Sequence, residues 1–216
     1  MALSTRADRA RPYRSPKRRE QARQTRRRIL VAATEQFRSF GYAGTTMGAI
    51  ASAAGVSVPT VELAFSTKAS LLKEAIDVAI AGDDEPVPLL ERPWAAGLLQ
   101  TTTAGEFLAG VAEVVVASAQ RAAALVLAAF EAAQADDRLA SLAAQLKTQR
   151  AVTAAWIVDG ITARSTLRTD RAEAIDTVWL LMDPAVFDRL TTDRGWTGQR
   201  FGTWFSSSVL RLLAEQ

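Results

Sequence analysis

Hydroxyl side chains and one lysine lie between residues 45 and 68, around a Gly55-Val56-Ser57 turn, and their chemistry suits phosphate groups. Thr46, Ser57 and Thr60 place hydroxyls and backbone N–H groups near the starts of short helices, where phosphates are commonly bound. Lys68 adds a positive charge at the same edge. This pattern predicts contacts to a polyanion.

Catalytic chemistry has few residues to draw on in this chain. Its 216 residues include no cysteine and no histidine, which excludes disulfides, thiolate nucleophiles, Cys- or His-ligated metals and Ser-His-Asp catalysis. An all-α enzyme would have to work with carboxylates, lysine or tyrosine alone, and no paired set stands at a recognisable spacing. We therefore expect a protein that is not an enzyme and that has no cofactor and no metal.

The charge is distributed unevenly along the chain. Residues 1–28 hold ten arginines and Lys17 against Asp8 and Glu20, a net charge of +9, whereas the whole chain carries only +3. Fifteen basic and twenty-one acidic groups remain, so the rest of the chain carries −6. A basic arm on an acidic body indicates a polyanionic partner at one end. Residues 1–19 are predicted to be a disordered arm. Alternatively, this arm only keeps the chain soluble.

Four helices must position the phosphate-binding groups. Apolar residues recur at helical spacing over about 20–40, and Gly41 follows where a helix ends. Thr45 or Thr46 can cap a short second helix that ends at Gly55, and Ser57 can cap a third over about 58–65. A fourth runs from near Thr67 to Gly82. This arrangement is a helix-turn-helix, whose second short helix fits a DNA major groove about 12 Å wide.

The remainder of the chain is also predicted to be helical. Helical spacing of apolar residues continues through 105–119 and 121–135. Three further helices are expected at about 137–164, 171–182 and 184–195, and Thr197 caps a last one. The fold is therefore all-α. The longest unbroken apolar run, Ala122–Phe130, has nine residues against the roughly 20 of a bilayer span, so we expect no membrane helix and a cytoplasmic protein.

The segment RRRILVAATEQFRSFGYAGTTMGAIASAAGVSVPTVELAFSTKASLLKEAI, residues 26–76, resembles the DNA-binding region of the TetR (tetracycline-repressor) family. The resemblance covers the basic entry, F-x-x-x-G-Y-x-x-T-T-M, I-A-x-x-A-G-V-S and F-x-T-K-x-x-L-L. It implies a homodimeric transcriptional regulator, usually a repressor, that binds double-stranded DNA and whose helical C-terminal domain takes a small-molecule effector. The domains would then be a helix-turn-helix DNA-binding domain at 20–66, a connecting helix at 67–82 and a ligand-binding and dimerisation domain at 83–216.

The third helix departs from the family's usual pattern. Glu62 stands where an aromatic residue is common, Val58 where lysine or another polar residue is frequent, and Ala64 where tyrosine or histidine is found. Glu62 could accept a hydrogen bond from cytosine N4, and it could equally repel phosphates. The arginine-rich arm could compensate for weaker DNA binding by this helix, and deletion of residues 1–18 would then sharply reduce affinity.

Two sets of candidate site residues follow. The predicted DNA contacts are Arg26, Arg27, Thr45, Thr46, Ser57, Val58, Pro59, Thr60, Glu62, Leu63 and Lys68. The candidate residues of an apolar effector pocket, each of which could instead be plain core, are Trp94, Phe107, Val111, Leu127, Phe130, Trp156, Trp179 and Met182. We expect a dimer interface on helices near 139–163 and 197–214. Two alternatives stay open: a dimeric DNA-binding protein of this fold without an effector, and a protein-interaction module with weak DNA binding.

Overall fold

A computed structural model describes residues 16–215, which form ten α-helices and, apart from one isolated bridge between Leu167 and Ala214, no β-structure. A short 3₁₀ turn, Leu89–Glu91, precedes α5, and a π turn, Arg189–Asp193, follows α9. The helices are α1 (Pro16–Gly44), α2 (Met47–Ala54), α3 (Val58–Phe65), α4 (Lys68–Ala81), α5 (Pro93–Leu98), α6 (Ala104–Ala132), α7 (Asp137–Thr162), α8 (Arg171–Leu181), α9 (Pro184–Asp188) and α10 (Gly198–Leu213).

The predicted basic arm is shorter than expected at its C-terminal end. Its residues 1–15 lie outside the described part of the chain, and residues 16–19 already belong to α1. Pro16 suits the first helical position, because the N–H that proline lacks would have no partner within the helix there. Glu20 and Arg23 form an i, i+3 ion pair in the first turns of this helix. The expectation of disorder up to residue 19 is therefore wrong for its last four residues.

The caps of the N-terminal helices follow the sequence closely. Of the two candidate threonines it is Thr46 that caps α2, and its side chain accepts a hydrogen bond from the Ala49 N–H. Ser57 caps α3 and Thr67 caps α4 in the same way. Gly55 ends α2 with φ of 63°, a left-handed conformation that costs glycine nothing. The turns that orient α3 are therefore fixed by local chemistry.

α6 is the central helix of the molecule. The stretches 105–119 and 121–135 that keep helical spacing are one continuous helix of 29 residues, opened by a capping box between Thr103 and Glu106. By length and composition alone α6 could cross a membrane, with a mean hydropathy of 1.6 over its most apolar window. It is instead surrounded by α1, α4, α7, α9 and α10. Its apolarity is that of a helix packed on many sides.

Two apolar clusters share α6. The first joins the N-terminal helices to the C-terminal half of α6 and to the start of α7 through residues such as Leu125, Leu139 and Leu142. The second joins the N-terminal half of α6 to α7, α8, α9 and α10. The two halves of the chain are therefore connected through one helix as well as through the backbone.

Close helix contacts occur where glycine removes a side chain. A Cβ on Gly160 of α7 would lie 2.2 Å from the ring of Phe107, which is wholly buried. Gly198 and Gly202 likewise face Val116 and let α10 approach α6. Gly160, which costs helix propensity at its position, thus serves close packing in α7.

Candidate DNA-binding surface and internal cavity

The helices α2 and α3 form the expected helix-turn-helix. They are bent by 105° across the break between Ala54 and Val58, within the range of such motifs. The N–H of Val56 donates to the carbonyl of Ala51, which closes the turn after Gly55. Arg28 of α1 donates to the carbonyls of Ala54 and Gly55 and ties the turn to the rest of the domain.

α3 has one face in the core and one in solvent. Val61 and Phe65 are buried, and Val58 and Ala64 are half-buried against the same cluster. On the opposite side Pro59, Glu62 and Leu63 are exposed, and the side chain of Leu63 is 89% accessible. The structure therefore brings three of the predicted base-facing residues to the surface and uses Val58 partly for packing.

The N-terminus of α3 and that of α2 present accessible hydroxyls. Ser57 is exposed and shares a hydrogen bond of 2.8 Å with the half-buried Thr60 hydroxyl. Thr46 is exposed while it caps α2. All three hydroxyls stand beside helix N-termini, where the helix dipole and free N–H groups favour phosphate.

Thr45 does not reach this surface. Its side chain is fully buried, and its hydroxyl donates to the carbonyls of Gln36 (3.0 Å) and Gly41 (2.7 Å). These bonds satisfy carbonyls at the break in α1, where Gly41 has φ of 66°. Its predicted contact to DNA does not fit this placement.

Lys68 also points into the protein. Its Nζ donates to the carbonyls of Tyr42 and Thr45 at 2.8 Å each and lies 4.0 Å from the centre of the Tyr42 ring. Burial lowers the pKa of the Lys68 ammonium. The charge predicted for the phosphate-binding edge therefore holds the end of α1 against the start of α4.

The two predicted arginines have different environments. Arg26 pairs with Glu74 of α4 through Nε (2.9 Å) and Nη2, donates to the carbonyl of Ala64 and stacks on Phe65. Arg26 therefore links α1 to the end of α3 and to α4. Arg27 is exposed. The exposed basic side chains of α1 that remain available for phosphates include Lys17, Arg18, Arg19 and Arg27, whereas Arg23 pairs with Glu20.

A cavity of 890 Å³ lies in the second half of the molecule, with walls from α4, α6, α7 and the segment 83–91. A ligand site of a few hundred cubic ångströms or more suits a small organic molecule. Five of the eight predicted pocket residues line it: Trp94, Val111, Phe130, Trp156 and Met182. The rings of Trp94 and Trp156 meet edge to face with centroids 6.0 Å apart.

The other three predicted pocket residues lie outside the wall. Phe107 is a core residue whose ring fills the space beside Gly160. Trp179 donates from its indole to the Lys147 carbonyl and stacks under the Arg150 guanidinium. Leu127 is half-buried on α6 and is absent from the cavity wall. Helical spacing does not distinguish a ring that fills a core from one that borders a cavity.

Sequence reasoning missed the contribution of α4. Asp77, Val78, Ile80 and Ala81 line the cavity although the pattern of α4 suggested only a connecting helix. The segment 83–91 adds further lining residues and carried no signal beyond its prolines and acids. The second apolar face of α4, at Val78 and Ala81, is the one signal that could have indicated a wall on this side.

Arg150 is the basic residue among those that line the cavity. Its side chain is 9% exposed and lies 2.7 Å from the Asp183 carboxylate, at ion-pair distance but not aligned as a hydrogen bond. Nε and Nη2 have no hydrogen-bond partner among residues 16–215. Burial lowers the pKa of Arg150, while Asp183 opposes that shift.

The solvent-exposed part of the cavity lining, which we call its mouth, is acidic. Its lining includes Glu74, which pairs with Arg26, and Asp83, whose carboxylate accepts two hydrogen bonds from Arg92 (2.5 and 2.8 Å). The hydrogen bond from Arg92 holds the pKa of Asp83 at about 2. Asp84, Glu85 and Glu91 are exposed beside them. This mouth disfavours anions and attracts cations or neutral molecules.

Comparison with known proteins finds a family match in the helix-turn-helix segment. The model of the bacterial regulatory proteins of the tetR family matches residues 29–75, which span the end of α1 to α4. No curated protein sequence matches the chain.

Solved structures resemble the chain over nearly its whole length. A transcriptional regulator from Saccharomonospora viridis in complex with choline is 20% identical, with a TM-score of 0.67 over 90% of this chain and 100% of that one. The ketosteroid transcriptional regulator KstR2 of Mycobacterium tuberculosis is 18% identical, with a TM-score of 0.60 over 88% and 95%.

A third similar structure is NalD of Pseudomonas aeruginosa, the secondary repressor of the MexAB-OprM multidrug efflux pump, at 18% identity and a TM-score of 0.60 over 90% of this chain and 99% of that one. At such identities these structures show the fold, and the family model adds the DNA-binding segment. Residues 29–75 therefore match the DNA-binding segment of the tetR family of bacterial regulatory proteins, and the fold around that segment is the one that these solved structures share.

Proposed function

We propose that the chain is a homodimeric cytoplasmic repressor that binds a near-palindromic DNA site with α3 and leaves it when a small, mainly apolar effector occupies the cavity. The observation that carries the proposal is that α4 follows α3 directly and also forms one wall of the 890 Å³ cavity. A ligand in the cavity therefore contacts the helix that joins it to the DNA-binding surface. No catalytic step is required.

The DNA-binding half of the proposal rests on accessible side chains. Pro59, Glu62 and Leu63 would face base edges, while Thr46, Ser57, Thr60 and Arg27 would contact phosphates. In a dimer two α3 helices would enter successive major grooves, roughly 34 Å apart. Thr45, Lys68 and Arg26, which are engaged within the protein, would act by positioning the motif.

The effector half rests on the cavity and on the relatives. The cavity is lined mainly by aliphatic and aromatic side chains, and its polar groups besides the acidic residues of its mouth are Ser118, Gln149, Thr153 and Arg150. One similar structure holds choline, and another belongs to a ketosteroid regulator. The cavity favours this function over the alternative of a DNA-binding protein without an effector, whose body would need no such space.

The dimer is proposed on α8 and α10. Leu180 of α8 and Leu212 of α10 are 58% and 55% exposed, and these two helices contact each other. α7, the other helix predicted for the interface, exposes mainly polar side chains such as Lys147 and Thr148. A double substitution of Leu180 and Leu212 by glutamate should give a monomer in sedimentation experiments and abolish cooperative binding of the two half-sites.

The first experiment is a selection of random duplexes for binding, repeated at two salt concentrations. A palindromic consensus that survives the higher salt is expected, because base contacts persist while phosphate contacts weaken. Unselective, salt-labile binding would contradict the proposal. An absence of binding to duplex DNA at both salt concentrations would instead favour the protein-interaction module. The observation that supports this alternative is the exposed apolar side chain of Leu63.

The effector is then sought by thermal shift with a panel of neutral and cationic apolar compounds, choline included. A compound that binds the folded protein raises its Tm by mass action and should release the selected duplex. Ala119→Trp, which fills the cavity, should keep DNA binding and lose both responses. Ala163→Trp, on an exposed residue outside the cavity wall, is the matched control. An unaltered response in Ala119→Trp would place the effector elsewhere.

A further inference from the structure

Leu63 is the most exposed large apolar side chain of residues 16–215. Single exposed leucines are common on protein surfaces, so its position is what matters. Leu63 lies on the outer face of α3, opposite the buried pair Val61 and Phe65 and in the C-terminal half of the helix. Pro59, four residues earlier and also exposed, lies on the same face one turn away. The outer face of α3 therefore presents two apolar side chains, one in each half of the helix.

The polar side chains that usually recognise purines are absent from α3. Its eight residues, VPTVELAF, include no arginine or lysine for guanine and no asparagine or glutamine for adenine. A leucine side chain offers neither donor nor acceptor. The apolar group that base pairs present in the major groove is the C5 methyl of thymine, so a thymine methyl is the group that Leu63 can select.

Glu62 is the charged residue of α3, and it is exposed beside Leu63. A carboxylate accepts hydrogen bonds and therefore needs an amino group on the base edge. In the major groove the amino group of adenine lies between two acceptors, its own N7 and the O4 of thymine, which repel a carboxylate, whereas cytosine N4 has an acceptor, the guanine O6, on one side only. Cytosine is therefore the base that suits Glu62.

We propose that α3 specifies its DNA half-site through a thymine methyl contacted by Leu63 and a neighbouring cytosine N4 that donates to Glu62. This inference rests on the proposed function and names the base pairs that α3 would recognise. The exposed arginines of α1, among them Arg19 and Arg27, supply the phosphate contacts that offset repulsion between Glu62 and the DNA backbone.

The test starts from the duplex that the selection yields. Both copies of each thymine in the palindrome are replaced in turn by deoxyuridine, which lacks only the C5 methyl. At one symmetric thymine pair the full-length protein should bind about fifteenfold more weakly, because burial of one methyl group contributes about fourfold per half-site. Substitution at the other thymines should change binding by less than about twofold.

Leu63→Ala identifies the side chain responsible. In this variant the ratio of the affinities for the thymine duplex and the uracil duplex should fall close to one at the sensitive pair. Overall folding should stay unchanged because Leu63 is exposed. Leu99→Ala, at an exposed leucine of the body, should keep the full ratio. A ratio that persists in Leu63→Ala, or a half-site in which every uracil is tolerated, overturns the assignment of Leu63.

Glu62→Gln tests the second base. Glutamine binds the N6 and N7 of adenine, so a repeated selection with this variant should replace a cytosine of the half-site by adenine. A consensus unchanged by Glu62→Gln overturns the assignment of Glu62. If the unaltered protein selects no sequence at all, the proposed function fails together with this inference. If the unaltered protein selects a sequence whose recognition is unchanged by Leu63→Ala and by Glu62→Gln, the inference alone fails.

Discussion

The N-terminal helices and the body of this protein have similar apolar content but different interiors. Large side chains such as Phe37, Ile50, Leu71 and Leu72 are wholly buried among α1 to α4. The wall of α6 that faces the cavity carries small side chains, among them Ala119, Ala122 and Ala123. Helices held at similar distances enclose a space when the facing side chains are too small to fill it. The body also buries large side chains such as Phe107 and Phe201, so it is the small side chains at this wall that leave room for a ligand.

Core truncation should show the largest difference between the two regions. Phe37→Ala removes a ring that is 1% exposed and should lower the free energy of unfolding by about 3–5 kcal/mol. Val115→Ala, at the cavity wall, should cost about 1 kcal/mol or less, because the methyl groups that it removes already face open space. Urea denaturation of both variants measures the difference. Equal costs would mean that the cavity is closed in solution.

An added methyl group should have an intermediate effect that depends on local space. Gly160→Ala places a Cβ against Phe107 and should destabilise the protein by about 1–3 kcal/mol. Gly97→Ala in α5 meets nothing within 4 Å and should be neutral or stabilising by up to about 1 kcal/mol. Thermal unfolding of the two alanine variants tests this pair. A stable Gly160→Ala variant would show that the Phe107 ring can move into the cavity region.

The smallest effect is expected at the ion pairs of α4, the N-terminal helix that also lines the cavity. Glu74 and Asp77 both line the cavity from α4, but Glu74 pairs with Arg26 of α1 whereas Asp77 pairs with Lys73 of its own helix. Glu74→Gln should therefore weaken DNA binding by on the order of 0.5–1 kcal/mol, a range typical of partly exposed pairs.

Asp77→Asn is the matched control for Glu74→Gln and should leave DNA affinity unchanged. Titration of the selected duplex with each variant at one fixed salt concentration gives the comparison. A loss of affinity that is the same in both variants would indicate that the acidic mouth acts through general electrostatics, without a specific role for the Arg26 link.

The sequence predicted the helices better than it predicted the directions of individual side chains. Thr46, Ser57 and Gly55 act locally, so capping rules located the helix-turn-helix. Thr45 and Lys68 looked like surface groups because their partners, the carbonyls at the break in α1, cannot be recognised from residue types. The cavity could be predicted only in part. Phe107 and Trp156 both fall on the apolar face of a predicted helix, but Phe107 packs beside Gly160 whereas Trp156 lines the cavity.

The sharing of α6 by both apolar clusters has a consequence for how the molecule unfolds and for how its parts can be recombined. The first cluster needs Leu125 and Ala129 of α6, and the second needs Phe107 and Leu108 of the same helix. The two regions should therefore melt in one cooperative transition. A fragment that ends at Gly82 would expose the faces of α1 and α4 that α6 covers. Grafting the DNA-binding part onto another body would require transfer of the C-terminal half of α6 as well.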